Sequence, residues 1–380
     1  MTDWHIITGE YPPQPGGVSD YTHLIAEELV RAGDAVNVWA SPLRIGDCGS
    51  RIENGVRIER LPNHFGLTSL RALTRALDRR PAPRRLLVQY VPHAFGWKAA
   101  NVLFCAWLRS RRRDSVWVMF HEVSYPFGRD ESLAHNALAG INRVMASLVA
   151  GVAERAFVSI PAWQPLVQRL AVNTSVDWLP VPSSVPVAAD PCETARVRAR
   201  YADGSPLVGH FGTYGGSIGS MLEPAVRSIV DRTRAQVLLL GRRSDLVARA
   251  FEERHPDLKG RIVGAGPLSL EDLSHHISAC EVMVQPYPDG ISTRRTSAMA
   301  ALAHGRPIVT TSGWLTEALW EDTGAVALVA AAPPDAIARA TAALLDDESA
   351  RCALSSRART TYVERFDVVH TIRALRRSPR

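Results

Sequence analysis

Lysine is almost missing from this chain. Lys98 and Lys259 stand against 42 arginines in 380 residues. With the abundant alanine, this is the composition of a GC-rich, bacterial coding sequence. It also means that nearly every cationic contact to a ligand must come from arginine. Cysteine pairing is missing as well. Cys48, Cys105, Cys192, Cys280 and Cys352 are scattered, odd in number and without a C-x-x-C pair, which excludes a disulfide framework and a zinc knuckle. No apolar run approaches the ~20 residues of a membrane-spanning helix. The first residues lack a basic segment followed by an apolar one, so no secretory signal is expected and a cytoplasmic setting is. There is no D-x-D, no H-E-x-x-H and no ligand cluster, so neither a metal nor another cofactor is expected. The arginines are spread along the chain without a recognised nucleic-acid module, so no nucleic-acid partner is expected.

What is present is ordinary globular material, 46% apolar and 22% charged, with a net charge of +6. A length of 380 residues points to two domains. Short runs rich in Val, Ile and aromatics alternate with amphipathic stretches from end to end, which is the pattern of βαβ units. Strands are expected over 4–8, 35–40, 56–61, 86–91, 116–121 and 156–160. A proline-rich stretch over 179–187 interrupts the pattern and reads as a linker. Strands then resume over 207–212, 235–240, 261–263, 281–285, 307–310 and 325–329. The expected fold class is α/β, with two Rossmann-like domains whose parallel sheets face each other across a cleft. The first domain covers 1–182, rejoined by a C-terminal helix from about 365 to 380, and the second covers 183–364. In open parallel sheets ligands bind beyond the carboxyl ends of the strands, so residues just after strands are the candidates.

After the first strand, Gly16 and Gly17 precede a helix. Paired glycines let a ligand approach the backbone, and the helix N-terminus favours an anion. Glu10, Tyr11, Pro12, Pro13, Gly16, Gly17, Val18 and Tyr21 together resemble the opening of the retaining glycosyltransferases of family 4, which have the GT-B fold. The resemblance continues over 208–213, 237–241, 284–288 and 299–309. It implies transfer of a sugar from a nucleotide-diphosphate donor to an acceptor hydroxyl, with retention and without a metal. It also implies a donor site in the second domain and an acceptor site in the first. The acceptor would be a saccharide, a lipid-linked sugar or a small molecule.

The resemblance places donor contacts at Gly16, Gly17 and His121, with His121 facing the donor sugar. Tyr90 and His93 end another strand and are acceptor candidates. In the second domain the family loop after the first strand usually carries an Arg and a Lys. Here 209–221 holds no Arg or Lys, and Thr213, Gly215 and Gly216 are left to contact the diphosphate. The family also has two glutamates spaced by seven residues. Their places fall at Ser292 and Ala300, and both carboxylates are missing. Arg294 and Arg295 stand there instead, and an arginine fork suits phosphate oxygens. Asp289 is assigned the lost sugar-binding role. His121, Asp289, Arg294 and Arg295 are thus the catalytic candidates, with Arg242, Gly266, Ser292 and Glu317 added around the donor.

Two other readings compete. Gly215, Ser217 and Gly219 fit G-x-S-x-G, the nucleophile elbow of a serine hydrolase, with His304 or His370 as base. The missing lysine and glutamates fit a catalytically degraded GT-B protein that binds nucleotides or regulates. His275 and His276 read as an exposed helical pair. Six arginines over 71–85, with the aromatic segment 97–113, suggest peripheral contact with anionic membrane on the inner face.

Overall fold

The computed structural model describes residues 1–44, 48–171, 174–188, 190–202, 204–330 and 335–377. The chain divides into two compact units, Met1–Pro180 with Val368–Arg380, and Val181–Asp367. The first boundary lies two residues before the expected one because the Val181 amide donates to the Thr293 carbonyl, which ties the start of the linker to the second unit. The second lies later than 365 because Phe366 is buried in the second unit's core.

The first unit is built on β1 (Asp3–Thr8), α1 (Gly17–Arg31), β2 (Ala35–Ala40), β3 (Gly49–Glu53), β4 (Val56–Arg60), α2 (Leu67–Asp78), β5 (Arg85–Tyr90), α3 (Val102–Ser110), β6 (Ser115–Phe120), α4 (Leu133–Ala150), β7 (Arg155–Val158), α5 (Gln164–Leu170) and β8 (Val176–Trp178). Its sheet runs β3-β4-β2-β1-β5-β6-β7-β8. All neighbours are parallel except β3 and β4. Strand β3 was not expected, because its five residues are all exposed and carry no apolar alternation. Asn54 and Gly55, both at positive φ, close it onto β4 as a two-residue hairpin. The central strands β1, β5 and β6 are buried on both faces, as parallel strands between helix layers must be. In α1 the apolar stripe is Tyr21, Ile25 and Leu29, with Gly33 at φ +86° just past its end.

The second unit contains α6 (Pro191–Tyr201), β9 (Leu207–Phe211), α7 (Gly216–Arg232), β10 (Gln236–Leu240), α8 (Ser244–Arg254), β11 (Ile262–Gly264), α9 (Leu270–Ala279), β12 (Val282–Gln285), α10 (Thr296–Ala303), β13 (Ile308–Ser312), α11 (Leu319–Thr323), β14 (Ala327–Ala330), α12 (Asp335–Asp346) and α13 (Glu348–Arg365). Its parallel sheet runs β11-β10-β9-β12-β13-β14. The chain then returns to the first unit as α14 (Val368–Arg376), where the Ala374 carbonyl accepts from Arg155 and Arg376 pairs with Asp34. The end of the expected basic tail, 378–380, lies outside the described residues.

One expectation is corrected here. His275 and His276 are buried, at 4% and 7% exposure, because α9 packs beside α6 and Tyr201 lies against the His276 ring. Three of the six arginines over 71–85 are engaged within their own unit. Arg80 pairs with Asp3, and Arg84 pairs with Asp78 and the buried Asp114. Arg85 lies over Trp4 and Trp117. Arg71 and Arg75 instead border a groove of about 330 Å³ lined by Leu67, Leu70, Leu103 and Trp107. Among the described residues no helix is long and apolar enough to cross a membrane.

Candidate functional site

In the first unit the candidate residues gather at the carboxyl ends of β1, β5 and β6. Gly9 lets two of these loops meet. A β-carbon there would lie 2.1 Å from the Ala94 carbonyl oxygen, so any side chain would force the loops apart. Their contact brings the imidazole of His93 between two carboxylates, 3.9 Å from Glu10 and 3.7 Å from Glu122. Burial raises the pKa of Glu10; His93 opposes that rise, and the like charge of Glu122 adds to it. Gly16 caps α1 without a side chain, and a β-carbon on it would press on Glu10 at 2.5 Å. Gly17 is the first residue of α1.

His121 follows β6 and is almost fully buried. Its Nε2–H donates to Oε1 of Gln89 at 2.8 Å, and Tyr21 meets its ring edge-on at 4.8 Å. Burial lowers its pKa to about 3, so the ring is neutral. With Nε2 committed to Gln89, Nδ1 is the atom left for any bond to a substrate. Tyr90 is corrected. It is fully buried between Phe95 and Phe120, in a strand covered on both faces, and cannot meet an acceptor.

In the second unit the loop after β12 carries the charged candidates. Asp289 accepts from Nη2 of Arg294 at 2.5 Å and also from Arg295. Arg295 lies over the Tyr287 ring at 4.5 Å and caps α10. The expected fork therefore exists, but it is already bridged by the carboxylate expected to hold a sugar. Opposite charges two turns of loop apart, on a partly buried surface, find each other before solvent does. Gly290, at φ +85°, packs against Thr316 and Gly313, and the Leu315 amide donates to the Asp289 carbonyl at 3.0 Å. This contact sets Glu317 beside Thr293, whose amide and hydroxyl both donate to it, at 2.9 and 2.8 Å. Trp320 donates to its other oxygen. Glu317 thus fixes the approach to α10 with both oxygens engaged. Ser292 is fully buried with no partner for its hydroxyl.

The glycine loop after β9 leads into α7, with Gly215 as its cap. Thr213, Gly215 and Gly216 are exposed there, and a β-carbon on Gly215 or Gly216 would meet nothing. Tyr214 anchors the loop by donating to the Leu240 carbonyl. Arg242 is exposed after β10, and the Gly266 amide donates to Ser244. Ser217 lies exposed in the first turn of α7. His304, proposed as its base, is buried and bound elsewhere: Ser274 donates to its Nε2 and its own Nδ1–H donates to the Ala300 carbonyl, both at 2.7 Å. That removes His304 from the hydrolase reading. Among the described residues no group of three or more His, Cys, Asp or Glu side chains could hold a metal ion.

The sequence reading missed Gln89, His210, Tyr287 and Ser297. Gln89, His210 and Tyr287 lie in or just beyond a strand end, the signal that selected the others, and Ser297 lies in the first turn of α10, but none is charged or glycine.

The fold is shared with solved structures. Sucrose-phosphate synthase from Thermosynechococcus elongatus is 16% identical, with 99% of this chain and 97% of that one covered at a TM-score of 0.73. The Anabaena protein Alr3699/HepE, solved with UDP-glucose, is 16% identical over 99% and 98% of the chains at 0.68. WaaG, a glycosyltransferase involved in lipopolysaccharide biosynthesis, is 14% identical over 98% of both at 0.67. No curated protein sequence matches the chain. These likenesses make the architecture that of the GT-B glycosyltransferases, with two parallel-sheet units. Within the second unit, residues 212–347 match the family model for glycosyl transferases group 1.

Proposed function

We propose that this protein is a retaining, metal-independent glycosyltransferase that moves a hexose from a nucleotide-diphosphate donor to an acceptor hydroxyl. The observation that carries the reading is the second unit's pairing of an open glycine loop at the N-terminus of α7 with Arg294 and Arg295 at the head of α10, inside the segment that matches the family model. In the transfer, the bond from the anomeric carbon to the phosphate oxygen breaks while the acceptor oxygen bonds to that carbon and gives up its proton to the departing phosphate oxygen, and negative charge collects on the diphosphate. Fixed positive groups aimed at that charge are the main catalytic demand. Arg294, Arg295 and the amides of Gly215 and Gly216 meet it in this reading, with Thr213 and Arg242 alongside and Gly266 near the base. Asp289 then gives up part of its hold on the arginines and takes a sugar hydroxyl. His121, through Nδ1, orients the sugar. Gly16 and Gly17 give the donor room, and His93 with its two carboxylates receives the acceptor. Retention and the absence of a metal follow from the family resemblance. The UDP and UDP-glucose complexes of the Anabaena protein support the donor class. The groove bordered by Arg71 and Arg75 would suit an acceptor with an apolar tail at an anionic membrane surface, in the cytoplasm.

The test is a thermal-shift panel of UDP, GDP, ADP, dTDP and CDP sugars, followed by assay of nucleoside diphosphate release. A binder stabilises the chain by mass action. Silence across the panel refutes the reading. Binding without release on any acceptor favours the second reading, a nucleotide-binding protein on the same fold, for which the closed Asp289 bridge is the specific support.

A further inference from the structure

Beyond the carboxyl ends of β1 and β6 the first unit carries negative charge that its many arginines leave alone. Glu10 is at the centre of it. Its side chain is 26% exposed and lies over Gly16 at the head of α1, where its Oε2 is the atom that a β-carbon on Gly16 would strike. Among the described residues no N–H or O–H donates to that carboxylate. The charged groups that act on it are His93, Glu122 and Asp20. None of the 42 arginines is among them. His93 stands between Glu10 and Glu122, but at 3.9 and 3.7 Å it is beyond hydrogen-bond reach of both, and it is half-exposed. A partly buried carboxylate without a donor calls for one.

A second feature, independent of these charges, marks the same ground as a place for a ligand. His121 follows β6, one residue before Glu122, and is 8% exposed. Its Nε2–H is committed to Gln89, so Nδ1 presents a lone pair. That Nδ1 has no hydrogen-bond partner and is open to solvent. Tyr21 packs on the ring from α1, the helix whose head lies under the Glu10 carboxylate. Nδ1 therefore opens onto the ground that Glu10 and Glu122 border. The reading above gives that lone pair to the transferred sugar, so the carboxylates beside it face the molecule that meets the sugar. A hydroxyl brings one proton to two carboxylates and leaves their charge uncompensated. A phosphate is repelled. An ammonium brings three donors and the opposite charge.

We propose that Glu10 and Glu122 form an ammonium-reading subsite, so that the acceptor is an amino sugar. The inference rests on the reading of this corner as the acceptor side of a glycosyltransferase. A protonated amine has no lone pair, so it anchors the acceptor while a neighbouring hydroxyl takes the transferred sugar.

Calorimetric titration tests it, on the full chain saturated with the nucleoside diphosphate that gives the largest thermal shift. The probes are methyl glucosaminide, methyl glucoside and methyl N-acetylglucosaminide, which differ only in the group on C2, and ethanolamine. The wild type is expected to bind methyl glucosaminide at least about tenfold more tightly than the other two glycosides, the gain of a charge-assisted hydrogen bond. Glu10→Gln keeps the shape of the side chain and should erase that preference, while diphosphate affinity stays within about twofold. If Glu10→Gln does not fold, Glu122→Gln carries the same comparison. Ethanolamine bound as tightly as methyl glucosaminide would overturn the amino-sugar assignment in favour of a free or headgroup amine. Equal binding of the three glycosides, binding of none, or a preference that survives in Glu10→Gln would overturn the subsite. A chain that binds no diphosphate yet prefers the amine loses the proposed function and keeps the subsite. One that binds the diphosphate and shows no preference loses the subsite alone.

Discussion

Gln89 and His121 are joined across neighbouring strand ends by a 2.8 Å hydrogen bond from the imidazole Nε2–H to the amide oxygen. The bond chooses the tautomer, and so presents Nδ1 as an acceptor to whatever enters above β6. Replacing Gln89 by Leu removes that choice. Transfer rate is expected to fall about tenfold while diphosphate affinity stays within about twofold, because the amide touches the ring and not the nucleotide. Steady-state kinetics beside nucleotide titration checks it; equal losses in both would assign Gln89 to the fold alone.

Asp289 restrains both arginines at the head of α10. Asp289→Asn removes the shared carboxylate charge that both arginines hold. Diphosphate binding is then expected to tighten about three- to tenfold at low salt, and the gain to shrink as salt rises. Transfer should fall at least about tenfold, since the sugar loses its carboxylate. Titration at two ionic strengths separates the effects. Weaker diphosphate binding in the variant would mean that the bridge itself shapes the site.

Burial holds His121, His210 and His304 neutral, with pKa values lowered to about 3, 4 and 4 from 6.5. A depressed folded-state pKa means the unfolded chain takes up protons that the native chain refuses. The stability these rings contribute is complete above pH 6.5 and is lost as pH falls from 6.5 toward 4. Each ring should steepen the decline by about 1 kcal/mol per pH unit. Urea unfolding at pH 7, 6 and 5 measures the slope. His304→Asn should flatten it by roughly one proton.

Gly9 has no room for a side chain against Ala94. Gly9→Ala is expected to cost about 1–3 kcal/mol through overpacking. It should also separate Glu10 from His93 and so weaken acceptor use more than donor use. Denaturant unfolding gives the first, and the KM values for the two substrates give the second. An unchanged unfolding midpoint would show that the loops part freely.

By itself the sequence determined the α/β alternation, the parallel sheets and the loops that follow the strands. Those features are set by local chemistry: apolar β-branched runs demand burial on both faces, and proline or glycine ends each element. It also singled out Gly16, His121, Asp289, Arg294 and Arg295 as candidates, because glycine and titratable side chains stand out in a strand-end loop. It did not find β3, whose polar residues are held by a hairpin turn and an edge rather than by burial. It set Tyr90 at a ligand when the packing of two helix layers sets it in the core. Only the tertiary structure decided which groups meet. It closed Asp289 onto its two arginines, gave both oxygens of Glu317 to the approach to α10, tied His121 to Gln89 and left Nε2 of His210 without a partner. Such pairings depend on distances between loops far apart in the chain, and periodicity and composition carry no information about those distances.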